Sequence, residues 1–112
     1  MSAGQILGAL RLVWGSALLG APVQCIGLVP GAPAGVPDGA VTVVRVLGGR
    51  HVLQGLVEMA ARPSFCRLGA ASDLLHAATG VALAASDRRW RSVAGADAAL
   101  ATGFAVAGLA AR

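Results

Sequence analysis

The sequence has no lysine and no tyrosine, two cysteines, two tryptophans, two phenylalanines and 12% charged residues. Each shortage excludes something. Soluble domains carry about 25% charged residues, so this chain has about half the usual means of facing water. Its 112 residues are 56% hydrophobic, with a mean hydropathy of +0.73. So short a chain cannot enclose that much Ala, Val and Leu away from water. A membrane protein is expected in place of a soluble domain.

Without lysine, the net charge of +4 rests on nine arginines. Most stand at the ends of apolar segments, where long stems reach lipid headgroups. That placement favours topology and lipid contact, and no nucleic-acid partner is expected. Cys25 and Cys66 fall on opposite sides of the arrangement below, which excludes a disulfide by reach. They read as small apolar residues. The first charge, Arg11, lies inside the first apolar stretch, so no basic n-region precedes it and the first helix is expected to be retained. No phosphate loop or metal-ligand spacing occurs. Ser72, Asp73 and His76 on one helix lack an independent orienting partner and make no triad. A non-enzyme without a cofactor, metal or catalytic residue is expected.

The chain is organised around Val41 to Arg62, VTVVRVLGGRHVLQGLVEMAAR. Roughly 20 helical residues at about 1.5 Å each span a bilayer's hydrocarbon core. Yet this stretch carries Arg45, Arg50, His51, Gln54 and Glu58. A charge near the middle of a lone spanning helix costs about 2.5–3.5 kcal/mol. Neighbouring helices must therefore cover its polar side.

Periodicity and punctuation predict one domain over 1–112 with helices at about 4–28, 41–61, 68–86 and 92–111. Pro22 marks or kinks the first of these. The run PGAPAGVPDGA (30–40) is an exposed loop, because alternating Pro and Gly prevent helix and ladder alike. PSFCR (63–67) is a hairpin between antiparallel helices, and DRRWR (87–91) is a charged turn with an interfacial Trp90. The fold expected is all-α: an integral membrane four-helix bundle of antiparallel transmembrane helices. The blocks RLVWGSALLGAP, RVLGGRHVLQGL, RLGAASDLLHAATGVALA and RRWRSVAGADAALATGFAVAGLA occur in that order. Together they resemble a family of small four-helix membrane proteins common in actinobacteria. The resemblance implies the architecture and no catalytic residue.

At about 100° per residue, the polar groups gather on single faces. Gly48, His51, Gly55 and Glu58, with Gln54 at the margin, line one face of the second helix. Gly69, Asp73, His76 and Gly80 do so on the third, and Asp97, Ala101, Phe104 and Gly108 on the fourth. Gly8, Arg11 and Gly15 share a face of the first, and their spacing echoes Gly48, His51 and Gly55. Small residues with ionisable groups are the mark of a bundle interior. Counting from the turns places Arg11, Glu58 and Asp73 in one layer. Arg45 and Asp97 fall in another with Arg50 deeper, and His51 and His76 lie between at one depth on facing sides. The formal charges of these six Arg, Asp and Glu residues cancel.

Several readings stay open at this point. The groups are structural pairs fixing helix register, and His76 then bonds Asp73 or Gln54. A small proton-coupled transporter would use Glu58, Asp73 and the histidines. A bis-histidine haem would use His51 and His76. Arg88, Arg89 and Arg91 suit anionic lipid headgroups. Their density directs the 87–91 turn to the cytoplasm, with both termini outside. The expectation is a multi-pass protein of the cell membrane, an accessory or interaction subunit. Its partners are the lipid bilayer and other membrane proteins or a second copy.

Overall fold

The computed structural model describes residues 2–60 and 64–110, the side chains of Ser64, Phe65 and Cys66 excepted. The described chain is all helical: α1 (Ala3–Gly20), α2 (Pro22–Gly27), α3 (Asp38–Ala60), α4 (Ser64–Ser86) and α5 (Arg91–Ala110). Ser2 opens α1 with a capping box, its hydroxyl accepting from the Gln5 amide while the Gln5 side chain accepts from the Ser2 amide. The first expected helix is in fact two. Pro22 has no N–H to continue α1, and it starts α2 at the first-turn position that proline suits. α3 begins three residues before Val41, at Asp38, whose acidic side chain favours a helix start. α4 begins at Ser64 and takes in most of the expected 63–67 turn. Residues 61–63, Arg112 and the Cys66 side chain lie outside the described residues.

Packing divides the molecule into two helix pairs. α1 lies along α3 and α4 along α5, whereas α1–α5 and α3–α4 touch lightly. Glycines set the first pair. A Cβ built on Gly8 would fall 2.8 Å from the Gly55 carbonyl oxygen, and one on Gly55 would fall 2.7 Å from that of Gly8. Gly15 and Gly48 mirror this at 2.6 and 2.8 Å. Because Gly8 meets Gly55 and Gly15 meets Gly48, the helices run antiparallel. The echo in the sequence is thus the two halves of one interface, bare backbone against bare backbone. In the second pair Gly80 lies against Ala98 and the Ala94 carbonyl, with looser Cβ distances of 3.1 and 3.2 Å.

At one end of the molecule the Arg89 guanidinium donates to the Gly35 carbonyl at 3.2 Å, tying the long loop to the 87–90 turn. Gly31 in that loop has a φ of 82°, the left-handed region that glycine adopts freely. The molecule measures 41 × 27 × 20 Å. Among the described residues three helical stretches are long and apolar enough to cross a membrane: Ala3–Gly20, Arg67–Ser86 and Arg91–Ala110. α3 has the length, with 23 residues, and is more polar. Its buried residues are Gly48, His51, Gly55 and Glu58.

Candidate functional site

Where α1, α3, α4 and α5 converge, Arg11 is wholly enclosed, with none of its surface exposed. The glycines before and after it, one turn away each, let α3 approach closely enough for Glu58 to reach it. Arg11 Nε donates to Glu58 Oε1 at 3.1 Å and Oε2 at 3.0 Å. Nη1 donates to Asp73 Oδ1 at 3.1 Å, and Nη2 pairs with Asp73 Oδ2. This fork geometry is what guanidinium offers and ammonium cannot. Gly69 leaves the space Glu58 occupies, for a Cβ there would stand 2.8 Å from Oε1.

Three further groups complete the cluster. His51 Nδ1 lies 3.4 Å from Arg11 Nη1. Guanidinium only donates, so Nδ1 accepts and the neutral ring carries its proton on Nε2. The Phe104 ring covers the other side, its centroid 4.4 Å from Arg11 Cζ and 5.4 Å from the His51 ring. A cation over an aromatic face at that distance is attracted by the ring quadrupole. Arg50 enters from the edge, Nε to Gln54 Oε1 at 3.0 Å and Nη2 to Asp73 Oδ1 at 3.1 Å. Two arginines and two carboxylates thus meet with no net formal charge, which is how buried ions are tolerated.

Arg11, Arg50, His51, Gln54, Glu58 and Asp73 are therefore brought together, in one cluster and not in two layers separated by histidines. The remaining expected residues lie elsewhere. Arg45 is exposed on α3 and donates Nε to the Leu19 carbonyl at 3.4 Å. It serves one of the end carbonyls of α1 that the Pro22 break leaves free. Asp97 pairs with His76 across α4–α5, not with Arg45, and both side chains stay partly exposed. His76 accordingly bonds neither Asp73 nor Gln54, and the two histidines have separate surroundings. The arginines expected at headgroups are exposed, but Arg89 is held by Gly35 and Arg91 donates Nε to the Ala84 carbonyl at 2.8 Å. Arg88 keeps an exposed side chain.

The sequence stripes contained Phe104 and Gly69 without revealing their roles. Phe104 was the one aromatic on an interior stripe, and that was the available signal. Among the described residues no three His, Cys, Asp or Glu side chains gather as a metal site. No protein-family model, curated protein or solved structure matches the chain.

Proposed function

We propose that this chain is a small multi-pass protein of the cell membrane, in which α1, α3, α4 and α5 cross the bilayer as an antiparallel four-helix bundle. It acts as an accessory or interaction subunit and performs no chemistry of its own. The observation that carries the reading is the closure of the Arg11 cluster. A guanidinium with no exposed surface and a carboxylate on each flank acts as a pin between helices. Proton-coupled transport draws less support, since Glu58 and Asp73 are both buried and both paired with Arg11.

The outer surface suits lipid. Leu10, Val13, Val46, Leu53, Leu75, Val81 and Val106 all point outward from the long helices. A length of 41 Å matches the roughly 40–45 Å of a bilayer with its headgroups. The resemblance to small actinobacterial four-helix membrane proteins points the same way. The 87–91 turn faces the cytoplasm, where Arg88 reaches anionic headgroups.

Two measurements test the reading. Cysteine-accessibility labelling is expected to find positions 30–37 and 87–91 on one side, and both termini on the other. Labelling of the two termini from opposite faces removes the four-span topology. Isolation from native membranes in mild detergent is expected to recover a stoichiometric membrane partner or a second copy. Recovery as a lone monomer removes the subunit role.

A further inference from the structure

Hydrogen bonding divides the molecule along the same line as packing. Within α1–α3, Arg11 Nε donates to both Glu58 oxygens, Arg11 Nη1 meets His51 Nδ1, and Arg50 Nε donates to Gln54 Oε1. Within α4–α5, His76 and Asp97 pair with each other. Each helix pair thus settles most of its own polar groups. Across the seam one residue stands out. Among the described residues, Asp73 is the one side chain of α4 or α5 that hydrogen-bonds α1 or α3. It engages Arg11 and Arg50 together and is itself wholly buried.

The other ties across the seam are slighter. Phe104 lays its ring against Arg11 and His51 without a hydrogen bond. The Arg89 contact with the Gly35 carbonyl is exposed and joins turn to loop, not helix to helix. α3 and α4 touch lightly, and a cleft of about 300 Å³ walled by Leu53, Val57 and Leu68 opens between them. Charge follows the same division. Arg11 and Arg50 against Glu58 leave the α1–α3 side of the cluster with one positive charge, and Asp73 supplies the negative charge that cancels it.

A light interface between two well-packed bodies opens before either body comes apart. We infer that Asp73 is a latch between two rigid half-bundles. With its charge in place the seam is shut. With that charge removed, α4–α5 swings away from α1–α3 as one body, the α3–α4 cleft widens, and Arg11 and Arg50 are uncovered. Opening is then favoured because the closed form would hold a guanidinium with no carboxylate to balance it. The latch rests on these contacts and is independent of the membrane reading.

The test uses the full-length protein in detergent, with Cys25→Ala and Cys66→Ala as background. Spin labels go on cysteines placed two at a time at Val13, Val46, Leu75 and Val106, all exposed. Pulsed electron resonance then reads Val46–Leu75 across the seam, Val13–Val46 within α1–α3 and Leu75–Val106 within α4–α5. Asp73→Asn is expected to add a longer, broader population across the seam and to leave both within-pair distances unchanged. Glu58→Gln changes the net charge by the same amount but breaks a contact inside α1–α3, so its seam distance is expected to stay single. Arg50→Gln removes one partner of Asp73 and is expected to open the seam less, in the same direction. An unchanged seam in Asp73→Asn, or equal opening in Glu58→Gln, would overturn the latch. So would within-pair distances lost together with the seam distance, because the bundle would then come apart as one unit. Should Asp73→Asn fail to accumulate, Arg50→Gln decides: a shifted seam supports the latch and an unshifted one overturns it.

Discussion

In the α1–α3 pair the backbones meet through reciprocal glycines, and the ionised side chains between them are sealed. In the α4–α5 pair alanines do the packing, and the His76–Asp97 pair keeps 24% and 27% of its side-chain surface exposed. Both interfaces are rich in small residues, yet they enclose polarity differently. A buried ion needs its partners within hydrogen-bond reach from several directions, and bare backbone contact supplies that closeness. Alanine contact leaves a helix separation at which a single His–Asp pair stays near the rim. The first pair also depends on the second, because Asp73 on α4 is the second carboxylate of Arg11. The cluster is what fastens the pairs together.

The sharpest way to break this difference is Arg11→Leu. It strands Glu58 and Asp73 as buried carboxylates, a loss of about 3–5 kcal/mol in soluble proteins. Membrane settings shrink such values, since the unpacked helix also finds partners. A fall in detergent melting temperature larger than for any other variant here is expected, with partial recovery on adding Glu58→Gln or Asp73→Asn. Failure of both to restore stability would dissolve the assigned pairing.

Glycine substitutions come next. Gly55→Ala and Gly48→Ala push a methyl into a carbonyl oxygen, and overpacking of this kind costs about 1–3 kcal/mol. Gly80→Ala meets looser neighbours, and the roughly 1 kcal/mol gained by replacing a mid-helix glycine offsets its strain. Thermal melts in one detergent should therefore separate the two interfaces. Equal losses at Gly55 and Gly80 would erase the distinction.

The histidines give a smaller contrast. His51→Ala removes a buried acceptor beside Arg11 and is expected to cost about 1–3 kcal/mol. His76→Ala breaks a partly exposed pair, for which about 0–1 kcal/mol is expected. Guanidinium or detergent-exchange titration measures both, and a more damaging His76 variant would reverse the ranking. Of similar size, and opposite in sign, is Gly103→Ala. Nothing stands within 4 Å of a Cβ there, so the helix gains about 0.5–1 kcal/mol. Destabilisation seen only at high protein concentration would show that a second copy covers the α5 outer face.

The sequence made the faces legible and the partners only partly so. Spacing at 100° per residue picks out Gly48, His51, Gly55 and Glu58, the buried residues of α3. Counting depth from the turns puts Arg11 level with Glu58 and Asp73, because short connections fix which ends meet. Depth alone failed for Arg45, which shares a layer with Asp97 but projects to the outside, where a free α1 carbonyl receives it. Nearness along the chain and similar depth point His76 toward Asp73 or Gln54. Its true partner depends on the α4–α5 register, and faces made of alanine and glycine carry little directional information. The break at Ala21 was readable from Pro22, whereas the earlier starts of α3 and α4 were obscured by nearby Pro, Gly and Ser.

The polarity of α3 also has a consequence for the order of events during synthesis. α1 precedes α3 in the chain and qualifies by length and composition as a spanning stretch, whereas α3 does not. On the four-span reading, α3 enters the bilayer as a passenger, when its glycine face finds α1 already there. The segment from Ala21 to Pro37 then works as a leash whose length sets how concentrated α3 is around its waiting partner. Lengthening that leash should slow capture and leave a fraction of nascent chains with α3 and everything after it on the wrong side, although no contact in the finished molecule has changed.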